Sequence, residues 1–240
     1  MTNGKPRIVA LLPMKAHSER VKDKNFRNFC GKPLFRWILD TLMSIDEIDR
    51  IVINTDARHI LAEKGLTETD RILIRDRKSE ICGDCVSMNL ILEDDLCHVD
   101  GDIYVMTHTT NPLMDPATIR DALRTFLSAK AADTADSLFT VNRVQSRFYR
   151  IDGKAVNHDP LNLIRTQDLE PWFEENSCLY IFTRDSFDAT ATRIGKKPLM
   201  YLSPRLESID IDDLEDCDFA TLVAGGQHPK ASVAGPPKKR

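Results

Sequence analysis

No apolar run in the 240 residues reaches membrane-spanning length, so no bilayer-crossing helix is expected. A secretory leader is not visible either. Lys5 and Arg7 precede a short apolar run, but Pro13 and Lys15 end it too early. Charge of neither sign dominates: 29% of residues are charged and the net charge is −4, an ordinary balance that disfavours a nucleic-acid-binding face. Cysteine is sparse. Cys30, Cys82, Cys85, Cys97, Cys178 and Cys217 are too few for a disulfide scaffold and fit a reducing cytoplasm. Cys82-Gly83-Asp84-Cys85 is a lone CxxC. Zinc would need two further ligands at matching spacing, and no second CxxC exists. A redox pair would sit before a helix, and one is expected near Val86; the plainer reading is two small residues in a loop. No GxGxxG follows the first strand, which disfavours a dinucleotide dehydrogenase. No internal repeat is visible.

What is present is alternation. Strand-like runs occur at Ile8–Leu12, Ile51–Asn54, Ile72–Ile74 and Ile103–Met106. Helical spacing occurs at Leu34–Met43, Ala57–Lys64, Val86–Leu96 and Pro116–Ala129, the last with Asp115 as N-cap. Strands alternating with helices at this spacing predict a three-layer α/β/α domain over residues 1–226 with a mostly parallel sheet. The rhythm changes after Val141. Residues 142–175 carry the turn Asp152-Gly153 within a polar stretch and read as an inserted arm. Leu179–Phe182 returns to the sheet, Asp185–Ala189 reads as helical, Pro198–Leu202 as a strand and Leu214–Ala224 as a final helix. Residues 227–240 are poor in large apolar side chains and are expected to be disordered.

Several strand ends carry chemistry. Ile8–Leu12 runs into a loop with Lys15, Arg20, Lys22 and Lys24. Cations at a strand's carboxyl end suit a polyphosphate, although a solvated basic loop has the same composition. Ser208-Ile209-Asp210-Ile211-Asp212 alternates, which in an extended segment puts Asp210 and Asp212 on one side. Two carboxylates suit Mg²⁺; alternatively the acids cap the helix that follows. Thr55-Asp56 reads as a helix cap, and Arg75, Arg77 and Lys78 read as a basic loop or a second group near a nucleotide. His108 could bond a substrate hydroxyl or cap its own turn.

Taken in order, these segments resemble the cytidylyltransferases that activate acidic sugars, the CMP-sialic acid synthetases and their KDO-activating relatives. The resemblance spans Ile8 to about Leu222. It rests on Lys24-Asn25 after the basic loop, Gly31-Lys32-Pro33-Leu34 and Asn54-Thr55-Asp56. It continues through the turn His108–Leu113, Arg165-Thr166-Gln167-Asp168-Leu169-Glu170-Pro171, Asn176–Tyr180 and Ser208–Asp212. The order of these motifs is more specific than any one of them.

The resemblance implies attack of a sugar hydroxyl on the α-phosphorus of CTP with loss of pyrophosphate. It implies that Lys15, Arg20 and Lys24 hold the triphosphate and that Asp210 and Asp212 hold Mg²⁺. Asn25, Arg75, Asp84 and Ser87 would contact the nucleotide, and His108, Gln167 and Asn176 the acidic sugar. A cytoplasmic homodimer joined by the arm is also implied. Three positions depart from the family. Lys15 replaces an arginine and loses its bidentate fork, and His108 replaces a glutamine. Glu174 replaces an arginine suited to the sugar carboxylate, which turns the expectation from sialic acid toward another nonulosonic acid, a KDO-like acid or a phosphonate. A same-fold transferase using a different nucleotide, or a nucleotide-binding protein without catalysis, are the alternatives.

Overall fold

The computed structural model describes residues 4–18 and 21–226. The predicted tail at 227–240 lies outside the described residues. The sheet begins with β1 (Ile8–Leu11), followed by a short hairpin of β2 (Asn28–Phe29) and β3 (Lys32–Pro33). Cys30 and Gly31 turn that hairpin with φ of 48° and 93°, the pair of left-handed residues that matches strand twist in a two-residue loop. Next come α1 (Leu34–Met43), β4 (Arg50–Thr55), α2 (Arg58–Glu63), β5 (Ile72–Asp76), α3 (Met88–His98), β6 (Ile103–Thr107) and α4 (Pro116–Ala131). The chain finishes with β7 (Ser137–Val144), β8 (Trp172–Phe182), α5 (Arg184–Asp188), β9 (Pro198–Leu202) and α6 (Leu214–Gly225).

Among the described residues, seven strands form one sheet in the order β5-β4-β1-β6-β8-β7-β9. β5, β4, β1 and β6 run parallel, β8 pairs antiparallel with both β6 and β7, and β9 runs parallel to β7. The mostly parallel α/β architecture expected from the sequence is therefore observed. Period-two alternation splits each central strand between two cores. Ile8, Ala10, Ile51, Ile53, Ile103 and Val105 pack on α1, α2 and α4. Val9, Leu11, Val52, Tyr104 and Met106 face α3 and α5. Both faces are covered, so the strands are apolar throughout.

Two features position the site. First, the sheet order reverses between β1 and β6, so their carboxyl-terminal loops diverge and leave a crevice. Second, a small third core of Phe29, Leu34, Ile211 and Ala220 pins the segment before α6 against the β2–β3 hairpin. β7 was not legible as a strand in the sequence, and β8 begins seven residues earlier than Leu179. The two continue as a paired ribbon out to Val144 opposite Trp172. Beyond it Phe148 stacks on Trp172 at 5.2 Å, while Ile151 and Leu161 stand fully exposed.

Replacing Phe126, which is 0% exposed between α4 and the sheet, by alanine is expected to cost about 3–5 kcal/mol in urea unfolding. Leu222→Ala on the outer face of α6 is expected to stay within about 0.5 kcal/mol.

Candidate active site

A cavity of about 330 Å³ opens at the carboxyl ends of β1 and β6. Its polar wall comes from Lys15, Ser18, Lys24, Asn25, Arg77 and Asp84, and its floor from His108, Thr109 and Thr110. Val86, Met88 and Ile91 make an apolar flank, and Asp212 closes the end nearest α6. Main-chain bonds hold the β1 loop against β4: Leu12 N donates to Val52 O at 2.8 Å and Met14 N to Asn54 O at 3.1 Å. Asn25 ties that loop to the β6 turn, since its Nδ2 donates to Lys15 O at 2.9 Å while Thr109 Oγ1 donates to its Oδ1 at 2.6 Å.

The two ends of the chain meet at Lys24. Its Nζ donates to Ile211 O at 2.8 Å and to Asp212 Oδ1 at 3.2 Å. Ile211 is fixed from the other side, where its N donates to Thr110 O at 2.8 Å. Residues 208–212 form no regular strand, so the simple alternation expected for Asp210 and Asp212 is replaced by an irregular segment anchored at Ile211. Asp212 faces the cavity. Asp210 is more deeply placed, and its Oδ1 is buried with no hydrogen-bond partner among the described residues. Burial raises the Asp210 pKa above the ordinary carboxylate range, and nearby Asp212 adds to this, against lowering by Thr110 and Lys24. Asp213 and Asp216 form a capping box on α6, so the acidic run divides between a helix cap and the carboxylate pair.

Lys15 is ion-paired with Asp84 across the cavity mouth. His108 is held neutral: burial, Arg193 and Lys24 push its pKa down to about 4. Arg193 was not anticipated as a neighbour. It stacks on Tyr180 at 4.1 Å, and its buried Nε has no partner among the described residues. Cys82 and Cys85 are free thiols flanking Gly83 and Asp84.

Lys15, Lys24, Asn25, Asp84, His108 and Asp212 thus come together, whereas Arg20 lies outside the described residues. Arg75 is corrected in placement. Its guanidinium pairs with Asp94 and Asp95 on α3, and Arg77 lines the cavity in its stead. The strand ends at Asp76, so the two arginines do not share a direction; the signal available in sequence was Asp94-Asp95, an acidic pair able to sequester one of them. Ser87 caps α3, accepting from Asn89 N at 3.3 Å, and does not line the cavity. Gln167 lies exposed on the arm in the short helix Thr166–Asp168. Asn176 donates to Asn142 Oδ1 at 3.1 Å and Ser203 Oγ at 2.7 Å, beside the cavity rather than in it.

Residues 9–207 match the family described as Cytidylyltransferase. The chain belongs to that family. It is 23% identical over 217 residues to an N-acylneuraminate cytidylyltransferase of Streptococcus agalactiae, covering 87% of this chain and 51% of that protein. The chain thus spans about half the length of the curated relatives it first matches. A pseudaminic acid cytidylyltransferase of Campylobacter jejuni is 20% identical, with 93% of this chain and 98% of the relative covered. Among solved structures, CMP:2-keto-3-deoxy-manno-octonic acid synthetase complexed with CTP has a TM-score of 0.63 at 11% identity, covering 91% of this chain and 98% of the other. A 4-diphosphocytidyl-2C-methyl-D-erythritol synthase from Anaerococcus prevotii has 0.64 at 12%, covering 92% and 96%. Both share the fold.

No helix among the described residues is long and apolar enough to cross a membrane. No cluster of three or more His, Cys, Asp or Glu residues suited to a metal occurs among them. A cation here would rest on the Asp210–Asp212 pair and on oxygens from ligand and water. The orphaned, buried Asp210 oxygen beside a second carboxylate fits such a hard cation.

The depressed pKa of His108 sets a pH dependence. The unfolded chain takes up the His108 proton near pH 6.5, the folded chain only near pH 4. His108 therefore contributes full stability above about pH 6.5 and loses it as the pH falls toward 4. Thermal unfolding of wild type and His108→Gln across that window is expected to show a shallower decline for the variant. A nuclear magnetic resonance titration midpoint near 6.5 for His108 would contradict the buried, cation-flanked placement.

Proposed function

We propose that this protein is a Mg²⁺-dependent cytidylyltransferase that couples CTP to a hydroxyl of an acidic sugar and releases pyrophosphate in the cytoplasm. The observation that carries the reading is the convergence of Lys24 and Asp212, from opposite ends of the chain, in one crevice. Lys15, Lys24 and Arg20 would bind the triphosphate and offset the charge gathering on the leaving pyrophosphate. Lys15 must leave Asp84 to do so. Exposed ion pairs of this kind are worth about 0–1 kcal/mol, so a phosphate displaces one readily. Asp210 and Asp212 would hold Mg²⁺, which when bound polarises the α-phosphate and acidifies the attacking hydroxyl. Neutral His108 would bond the sugar without adding charge. Asn25 would shape the nucleotide site through its bonds to both loops.

The arm would join two copies. Its exposed Ile151, Leu161 and Leu163 want cover, and Gln167 on the same arm would then serve the sugar site of the partner copy. The acceptor reading favours an acid other than N-acylneuraminate. Glu174 is exposed near Asn176, with Asn142 Nδ2 donating to its Oε2 at 3.4 Å, and a carboxylate there repels another.

Three measurements check the reading. Pyrophosphate release should require CTP, Mg²⁺ and one member of a panel of N-acylneuraminate, pseudaminic acid, KDO and phosphonates. Release with UTP but not CTP would overturn the base assignment. Asp210→Asn and Asp212→Asn should each lower kcat by about a hundredfold while the fold persists; unchanged biological function with nucleotide binding intact would favour the non-catalytic alternative. Light scattering should give a dimer that Leu161→Asp shifts toward monomer.

A further inference from the structure

Arg193 is a largely buried cation with few partners among the described residues. Its side chain is 20% exposed, and its Nε is buried with no hydrogen-bond partner. The guanidinium lies over the Tyr180 ring at 4.1 Å, and its one hydrogen bond among the described residues runs from Nη2 to Tyr180 Oη at 3.2 Å. Its ion pair with Glu175 is long, at 3.9 Å, and the same Glu175 oxygen already accepts from Tyr180 Oη. A guanidinium cannot shed its proton, so taking it out of water is costly until an anion completes its bonds.

The loop that presents Arg193 is fixed on both sides of it. Thr192 Oγ1 donates to Ile194 O at 2.6 Å, and Arg193 N donates to Asn89 Oδ1 at 3.4 Å. Gly195 N donates to Ser137 Oγ at 2.8 Å and Lys196 N to Asp136 Oδ2 at 2.8 Å. A Cβ at Gly195 would run into the Asp136 carboxylate, so the loop closes tightly there. Holding the cation in place beforehand limits the ordering cost of binding an anion.

Arg193 adjoins the cavity on the side away from the lysines. Asn89, which holds its main chain, follows the cavity residue Met88 on α3. Tyr180, which carries its guanidinium, pairs with Met106 on β6, two residues before His108 in the cavity floor. The Arg193 charge helps to hold His108 neutral. In the sheet order β1-β6-β8, Lys15 and Lys24 follow β1, Arg193 rests on β8, and the turn with His108 follows β6 between them. With a triphosphate on the lysines, an acidic group of the second substrate meets Arg193 on the other flank. The planar fork of a guanidinium matches a carboxylate, and the exposed, long pair with Glu175 is weak enough to be exchanged. We propose that Arg193 receives the carboxylate of the acceptor and so selects for an acid, with Glu175 as the partner that the acceptor displaces. This inference rests on the acidic-sugar reading above and names the group that reads the acid.

Pyrophosphate release by the full-length protein with CTP and Mg²⁺ tests it. The acceptors are N-acylneuraminate, pseudaminic acid and KDO, the methyl ester of each, and 2-aminoethylphosphonate. Wild type is expected to use one free sugar acid about tenfold or more better than its ester, by kcat/KM. Arg193→Ala should lower kcat/KM for that acid by about tenfold or more, mainly through the acceptor KM, and leave the ester and the KM for CTP unchanged. Arg193→Lys should recover part of the loss, because the charge remains without the fork. Arg193→Met keeps a stem against Tyr180 and should behave like the alanine variant, so the test survives if Arg193→Ala does not fold. No release by wild type with any acid would overturn the acidic-sugar reading and this inference with it. Release with the phosphonate alone would overturn the carboxylate assignment while leaving the transferase reading in place. Wild-type turnover of a sugar acid that the Arg193 variants retain in full would overturn this inference alone. Equal losses for acid and ester, or a matching rise in the KM for CTP, would reduce Arg193 to a packing role and overturn it as well.

Discussion

The site depends on the bridge from Lys24 to Ile211 and Asp212, a contact between residues 187 and 188 positions apart. The Lys24 side chain is only 12% exposed, so leaving its ammonium unpaired would be costly and the segment before α6 is held to the β1 loop. Thr110 holds Ile211 by its main chain, and the capping box on α6 directs Asp213 and Asp216 away from the cavity. What remains facing inward is Asp212, with Asp210 more deeply placed behind it and incompletely satisfied.

Charge in the crevice is balanced rather than merely positive. Lys15 faces Asp84, Lys24 faces Asp212, and Arg77 is held by neutral acceptors. A polyanionic ligand would exchange partners with the lysines but finds Arg77 already set. The lysines are thus held by exchangeable ion pairs, whereas the arginine is fixed by hydrogen bonds to Asn54 and Met14. Behind the wall, Arg75, Asp94, Asp95 and Lys78 form a second, largely buried network. Burial raises Asp95 to about 6 despite Asn54 and Arg75. Asp94 stays lowered because Lys78 and Arg75 outweigh its burial.

The alternation of apolar runs and helical spacing was legible because each face of a strand and each helix stripe must be buried, and burial leaves its period in the residue order. Leu34–Met43 and Pro198–Leu202 matched their predicted bounds for that reason. β7 escaped notice because Ser137, Thr140 and Asn142 interrupt its apolar pattern, and their partners on β8 and β9 are distant in sequence. Lys15, Lys24, Asn25, His108 and Asp212 were legible as polar residues of the loops and turns that carry the motifs, and Asp84 through the family resemblance. Arg75 and Arg77, two positions apart in one basic loop, could not be told apart, since only α3 decides which of them finds an acidic partner.

The residue order alone thus determined the layered α/β class, the family resemblance and the residue types at each strand end, because these follow from local period and local chemistry. Which cations face the crevice, how Asp210 and Asp212 part company and which way Asn54 points were decided only by tertiary packing. Each of those outcomes turns on contacts between segments tens to nearly two hundred residues apart, and no local pattern encodes the orientation of a side chain whose partner arrives from elsewhere in the chain.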